Sequence, residues 1–437
     1  MKKFNLLYTA VAVAAVMSSA SVFANSNDDI EALKLRLQEL ETKVNTETKY
    51  KDDQQPATLT SETKVPEGIV FSGYARYGAH YQNDDKERVS SFGSLSGNAT
   101  GRLGNEGNGG EFQLAKAFKN DSGAIWDLVL MLDQWSDGSW ATDGGVNVKK
   151  MYAGVTNVFE SQPDLYIWAG RDFHQRPQTD LNDYFWMTHD SQGTGFKNLT
   201  LGGIKFDFAG VGQVNDDMVE DNGRYALTSK VHGIKLGDAD LSFYANYGTT
   251  SEKLDEVDKA KLANSAYQIA SEAVWAGQKF VIRYSHNALN SVFDLADNQD
   301  ALLFSLDGAI PLTERANIQY LTSYQKLDLD KSDESRKNYS LILRPTYQWN
   351  DVHSTWLEGG YSVVDYDDID ATNTSWKTTL SQNIAIGGET WSRPMLRFYA
   401  TVGNADNEYT GRDDKGKLNG ASDDDTVTFG AMFEAWW

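Results

Sequence analysis

From Ile69 onward the chain changes character at every second position. Leu341, Leu343, Pro345, Tyr347 and Trp349 alternate with Ile342, Arg344, Thr346 and Gln348. Leu241, Phe243, Ala245 and Tyr247 alternate in the same way with Ser242, Tyr244, Asn246 and Gly248. Near the end, Phe429, Ala431, Phe433, Ala435 and Trp437 alternate with Thr428, Gly430, Met432, Glu434 and Trp436. Successive side chains of a strand point to opposite faces, so this period predicts antiparallel sheet with one face in apolar surroundings. A soluble sandwich would share the pattern, and the connections have to decide between them.

Those connections alternate in kind. Short turns fall at Gly202-Gly203, Gly233 to Asp238, Ala276-Gly277, Pro311 to Glu314, Asn350 to His353 and Gly387 to Thr390. Between them lie nine long, polar, mostly acidic stretches, at 81–100, 134–146, 172–196, 214–222, 249–266, 287–299, 326–337, 365–373 and 403–424. A strand entering and a strand leaving each stretch makes eighteen strands, and roughly 9–11 residues suffice for a tilted strand to cross a bilayer. Short turns at one end and long loops at the other are the pattern of outer-membrane barrels. Lipid offers no partner to an unpaired backbone edge, so the sheet has to close. The fold class expected over 68–437 is therefore all-β, an eighteen-stranded antiparallel transmembrane β-barrel.

The N-terminal residues read differently. Lys2 and Lys3 precede an apolar run from Leu6 to Met17, and Ser18-Ser19-Ala20-Ser21-Val22-Phe23-Ala24 follows. A charged start, a short apolar core and small residues before a cut describe an export signal over 1–24; the run is short for a retained membrane helix. In 25–45, Ile30, Leu33, Leu37, Leu40 and Val44 recur with a 3.5-residue period while Glu31, Lys34, Arg36, Glu39, Glu41 and Lys43 fill the outside. Two heptads are too short to stand alone, so the seam predicts a short helical coiled coil of identical chains, a helix lying on its own domain being the alternative. Residues 46–67 are polar and low in aromatics, and read as a linker.

Composition narrows the function. Of 437 residues, 62 are acidic and 40 basic, for a net charge of -22, which argues against a nucleic-acid partner. The absence of cysteine excludes a disulfide framework and any thiolate-bound metal. A mean hydropathy of -0.51 beside 12 Trp, 21 Tyr and 19 Phe fits a barrel better than a helical membrane protein. Gly411 to Lys417 imitates a phosphate loop, but Leu418 stands where the hydroxyl residue belongs. Asp365, Asp367, Asp368 and Asp370 lack the glycine and terminal glutamate of a calcium loop; they read as solvated charge or as acids linked through divalent cations to lipopolysaccharide. Neither the six histidines nor any G-x-S-x-G motif suggests catalysis, and no cofactor or enzyme activity is expected.

Several fragments in a fixed order also carry a family likeness. They are Phe71-Ser-Gly-Tyr-Ala-Arg-Tyr-Gly78, Gly101-Arg-Leu-Gly-Asn-Glu106, Trp140-Ala-Thr-Asp143, Ile167-Trp-Ala-Gly170, Phe173-His-Gln-Arg176, Trp391-Ser-Arg-Pro394, Arg397-Phe-Tyr-Ala400 and Gly430-Ala-Met-Phe-Glu-Ala-Trp-Trp437. Together they resemble the maltoporin family of sugar-specific porins, and the N-terminal extension resembles its sucrose and β-glucoside members. The resemblance implies a homotrimer of eighteen-stranded barrels in the outer membrane of a Gram-negative bacterium, with a periplasmic extension and an oligosaccharide as substrate.

A sugar pore has to hold the C–H faces of pyranoses on aromatic rings and their hydroxyl rims on charged groups. By the resemblance the rings are Tyr74, Phe185, Trp391 and Trp436, with Trp140 reaching into the pore of a neighbouring subunit. The ionic residues are Arg76, Arg102, Lys149, Arg176 and Asp183, the last within the stretch that the family folds inward as its constriction. Three departures stand out. No aromatic follows the Arg-Leu-Gly-Asn motif, where Gly110 or Glu111 stands instead; Phe185 replaces a tyrosine; and Lys149 replaces an arginine of the maltodextrin porins. Maltodextrin specificity is thereby weakened, and a general diffusion porin is the alternative reading. The last residue, Trp437, points outward by alternation and resembles the signal read during outer-membrane assembly.

Overall fold

The computed structural model describes residues 58–82, 88–136, 145–214, 221–251 and 262–437. The export signal, the coiled coil, most of the linker and Trp140 lie outside these residues. Eighteen strands form one sheet in which each pairs antiparallel with its neighbours along the chain, beginning with Val70–Gln82 against Asn108–Lys119. The last strand, Ser422–Trp436, returns to the first, with Tyr74 opposite Trp436 and Gln82 opposite Thr428. The sheet is closed, and every edge is paired. Trp437 lengthens the seam: its N–H donates to the Gly73 carbonyl at 3.2 Å and its own carbonyl accepts from Gly73 at 3.1 Å.

The distribution of side chains inverts that of a soluble protein. Along Ala371–Ala385 the buried residues include Asn373, Ser375, Lys377, Thr379, Ser381 and Asn383, while Trp376, Leu380 and Ile384 are exposed. The three stretches singled out by their alternation behave alike, with Leu341, Leu343 and Tyr347, Phe243 and Tyr247, and Phe429 and Phe433 all on the outer surface. At ~25 cal/mol per Å2 of apolar surface, so large an outer face is stable only against hydrocarbon.

One end of the barrel carries tight turns such as Gly202-Gly203, where φ values of 60° and 88° suit glycine in a two-residue hairpin. Two further turns lie at this end, 120–124 and 157–165, the second holding Pro163-Asp164. The opposite end carries the nine longer connections. Strands run from 7 residues (Tyr166–Asp172) to 16 (Asp221–Leu236), so several continue past the bilayer. The loops expected at 326–337 and 365–373 accordingly shrink to 330–335 and 367–370.

Two connections fold into the lumen. The expected constriction is shorter than its sequence bounds: it occupies 173–190, and residues 191–196 already belong to the strand Ser191–Leu201. Trp186 and Met187 anchor it against Tyr244, Val281 and Leu303. The first connection, expected outside, also runs inward, along the strands next to those that hold the constriction. Ser91 Oγ donates to Ser375 Oγ (2.8 Å), Leu95 N to Asn338 Oδ1 (3.0 Å) and Ser340 Oγ to the Ala99 carbonyl (2.6 Å). The two segments then join, Asn98 N donating to the Asn182 carbonyl at 2.7 Å and Arg102 N to the Leu181 carbonyl at 2.8 Å. A buried segment must satisfy its backbone groups, and the polar lumen wall supplies the partners. Of the linker, Ser61 is tied by its hydroxyl to Asp164 Oδ1 (2.8 Å) in the turn 157–165.

Candidate functional site in the lumen

Four rings follow one another along the inner wall where the chain's first and last strands meet. Tyr74 and Trp436 are direct cross-strand neighbours, with ring centres 6.4 Å apart and planes 22° from parallel. Trp391, in the turn 386–394, continues the run 6.3 Å from Trp436. On the other side of Tyr74, Trp135 lies 6.0 Å away at 25°. Its strand, Ile125–Ser136, is two removed from that of Tyr74, and the register places Gly109 between Arg76 and Trp135. A side chain at Gly109 would run into the Trp135 indole, so the glycine leaves room for that ring. The ring missing after the Arg-Leu-Gly-Asn motif is thus matched in space by Trp135, one strand further on. Glu111 stands opposite Tyr74 and reaches Arg176 at 3.7 Å.

Beside the rings a buried carboxylate gathers three arginines. Glu434, with no exposed side-chain surface, accepts from Arg102 (2.7 Å), Arg393 (2.6 and 3.0 Å) and Arg397 (2.9 Å), and from the Tyr74 hydroxyl (2.9 Å). Arg397 also meets Glu106 at 2.7 Å. Arg393 in turn lies over the Trp436 ring at 4.3 Å. Arg76 pairs with Asp183 of the constriction at 2.8 Å and crosses the Trp135 ring at 5.2 Å. Rings and charges are therefore fastened to each other. Each hydroxyl and guanidinium that holds a ring in place also fixes its own direction, which keeps a row of donors and acceptors beside an apolar strip.

Other expected residues lie apart from this cluster. Phe185 is covered by the Arg176 guanidinium, 4.0 Å from its ring centre, and the same guanidinium lies 4.0 Å from Phe173. Arg176 bridges further to Asp190 at 3.5 Å. Lys149 occupies a bulge, since Met131 pairs with Lys150 while Leu132 pairs with Val148. The extra residue lets two successive lysines turn inward, Lys149 to Asp133 (3.7 Å) and Lys150 to Asp172 (3.5 Å). A second cluster, next to the first around Trp356, sets Glu358 between Arg344 and Lys377 (3.4 Å), with Leu103 N donating to it at 2.9 Å.

The sequence reading passed over Trp135, Glu106, Glu358, Arg393, Glu434 and the buried Trp356. Signals existed for two of them. Glu434 shares the alternation that turns Trp436 inward, and Trp135 shares that of Asp133, although it falls within the loop expected from 134. Arg344 and Arg397, inward by alternation, could not be told from ordinary lumen charge without their partners.

The Arg76–Asp183 pair makes a pH prediction. Burial pushes the Asp183 carboxyl upward, but Arg76 and Arg102 outweigh it and hold it below the ordinary 3.8. A group depressed on folding stabilises the folded form above its unfolded pKa, ~3.9, and that stabilisation fades as pH falls through the folded value. Conductance noise should therefore stay flat from neutral pH to about pH 4 and rise below it, as the constriction loses its anchor. Asp183→Asn should show that noise at neutral pH in single-channel records.

Comparison with known proteins gives the family of the barrel. The family described as LamB porin matches residues 69–437. Similar solved structures include the trimer form of OmpT from Vibrio cholerae, at 12% identity and a TM-score of 0.42 over 85% of this chain and 99% of that one. They also include the anion-selective porin from Comamonas acidovorans (13%, 0.40, 84% and 99%) and a triple mutant of the Rhodopseudomonas blastica porin (13%, 0.40, 84% and 100%). The family match spans the whole closed barrel, with its polar lumen and apolar outer face. The chain therefore belongs to the LamB porin family, as a porin of the bacterial outer membrane and a channel rather than an enzyme.

Proposed function

We propose that this porin passes oligosaccharides by facilitated diffusion along the rings Trp135, Tyr74, Trp436 and Trp391. The observation that carries the reading is their spacing of 6.0 to 6.4 Å on one wall, beside the arginines gathered at Glu434. A step of that size lets a sugar begin contact with the next ring before it leaves the last. Binding then stays weak and multi-site, as conduction requires. Arg76, Arg102, Asp183, Arg393 and Glu434 exchange hydrogen bonds with the hydroxyl rim. Lys149, Arg176 and Phe185 serve the constriction, where Arg176 covering Phe185 offers charge in place of a free ring. Maltose-like chains, sucrose and β-glucosides are all within the chemistry of such a path. The working unit is a homotrimer, in which Trp140 of each chain serves a neighbouring pore.

Sugar block of ion current tests this reading. Trp391→Ala and Trp436→Ala should each weaken block by the best sugar about fivefold, the equivalent of ~1 kcal/mol for one stacked ring, while ion conductance holds or rises. Block of both variants as tight as wild type would sink the proposal and leave a general diffusion porin. For the extension, deletion of residues 25–60 should spare conductance, measured in the same bilayers, since the barrel closes on itself without it. Loss of membrane insertion would give that segment another role.

A further inference from the structure

Between the first inward segment and the ends of the last two strands, Met395–Asn407 and Ser422–Trp436, lies a hollow of about 670 Å3. Residues 90–95 of the segment form one side of it, and Ala405, Asn407, Ser422 and Asp424 the other. In the register Ala405 pairs with Asp424 and Asn407 with Ser422. Asp424 stands an even number of residues from the buried Glu434, so both face the lumen. About 34 Å of strand separates the two, with Asp424 toward the long-loop end. Outer-membrane barrels turn their long loops outward, so the hollow lies at the entrance of the pore. The segment is fixed beside it, Phe92 N donating to Asn407 Oδ1 at 2.8 Å and Asn373 Nδ2 to the Phe92 carbonyl at 3.0 Å. The size is within the ~300–1,000 Å3 usual for small-molecule sites.

Its polar groups offer hydrogen bonds in both senses. Arg88 lines the hollow, and its Nη2 has no hydrogen-bond partner among the described residues. A guanidinium only donates, so that nitrogen calls for an acceptor. Ser422 Oγ accepts from Asn407 Nδ2 at 3.2 Å, which leaves its own proton to donate. Asp424 adds a carboxylate that accepts. An apolar surface completes the set: Phe92 is exposed and stands edge-to-face with Tyr409, 5.7 Å between ring centres and 83° between planes. Arg336, behind the segment, is already engaged, donating to the Gly93 carbonyl at 2.8 Å and lying over Tyr366. Among the described residues, one cation and one anion thus line the hollow. An anionic ligand would meet Asp424, and a cationic one Arg88. A neutral polyol uses both, its hydroxyls accepting from the guanidinium and donating to the carboxylate.

We propose that this hollow is an entrance site for a neutral sugar, with Arg88 and Asp424 holding its hydroxyls and Phe92 against a pyranose face. The proposal rests on the sugar-porin reading and extends it, because the site lies before the ring path and shares no residue with it. A first stop at the mouth raises the rate at which sugar is captured from outside. It leaves the time a sugar spends on the rings unchanged.

Two measurements on the full-length protein test it. Saturation-transfer NMR with sucrose and with maltotriose, in a detergent without a sugar headgroup, reads binding directly. A Trp391→Ala, Trp436→Ala background weakens the ring path and should still bind one of the two sugars. Adding Arg88→Gln with Asp424→Asn to that background should weaken this binding about fivefold. In bilayers, the same charge pair changed in the wild-type background should slow block by sugar added on the long-loop side, again about fivefold, at an unchanged residence time. Block from the short-turn side should keep its rate. Ala405→Trp, which fills the hollow and touches no charge, should act like the charge variant; heat-modifiability on gels reports that each variant is folded, and one folded variant suffices. Binding that depends on Arg88 and Asp424 in a wild type whose current no sugar blocks would sink the ring path and leave this site standing. Equal binding with and without the charge pair overturns the site, as does a wild type that binds neither sugar or block that slows equally from both sides.

Discussion

Glu434→Ala should leave little heat-resistant barrel in the membrane. Its carboxylate is fully buried, meets Arg102, Arg393 and Arg397 within 3.0 Å and accepts the Tyr74 hydroxyl. Removing one member of a buried ionic group strands the others, at ~3–5 kcal/mol, and here three guanidiniums lose a shared partner. That is a large share of the ~5–15 kcal/mol that holds a typical domain folded. The yield of folded protein on unheated gels, and its unfolding midpoint in guanidinium, should both fall. Glu434→Gln keeps an acceptor and should fall less. Removing a positive charge at the same time, as in Glu434→Gln with Arg393→Met, should recover part of the loss, because the residues share one network and their effects do not add. Either single Glu434 variant that inserts should shift reversal potential toward anions, since the lumen has lost a negative charge. Wild-type stability in Glu434→Ala would show that the arginines find other partners.

Trp356→Ala should act through the first inward segment. This indole is fully buried on the inner wall and packs against Leu103 and Met395. Arg344, Arg393 and Arg397 stand around it, 5.3 to 5.6 Å from its ring centre. Truncating a buried tryptophan costs ~3–5 kcal/mol in lost contacts and residual cavity. Each cation–π contact adds up to about 2 kcal/mol when desolvated. Leu103 would lose its support, and the segment carrying Arg102 would loosen. The expected result is a lower unfolding midpoint with an increase in conductance. Trp356→Phe should recover most of the midpoint, and an Ala variant with unchanged midpoint would remove Trp356 from this role.

The barrel itself was legible from alternation, because each strand meets two different solvents and must alternate to satisfy both. Leu341 to Gln348 and Phe429 to Trp437 read inward and outward without any tertiary information. The closed seam was also implied, since lipid tolerates no edge. The inward course of 88–107 was not. A polar segment rich in Ser, Gly and Asn has the same composition whether it faces water outside or a polar wall inside, and only Ser91 against Ser375 or Leu95 against Asn338 distinguishes the two. The ring run was half legible for a related reason. Tyr74, Trp391 and Trp436 lie on recognisable fragments, whereas Trp135 comes next to Tyr74 only through a register that crosses Gly109. The charges around Glu434 come from two distant stretches, 102–106 and 393–397, and no local pattern links them to it.

The seam between the first and last strands also imposes an order of assembly. Tyr74 donates to Glu434 across 360 positions of sequence, and Ser91 meets Ser375 across 284. None of these contacts can form until the C-terminal strands exist, whereas the hairpin contacts between successive strands can form one after another. Contacts so distant in sequence are slow to form. The first inward segment can settle on the strands already formed, but its Arg102 has no partner at Glu434 until the final strand arrives. Glu434 is then the latch of the process. It enters with the last strand and finds Arg102, held by the first inward segment, already in position. A chain that closed without that segment in place would bring a buried carboxylate to a cluster missing one of its cations, and the closure would be reversible until the segment was captured.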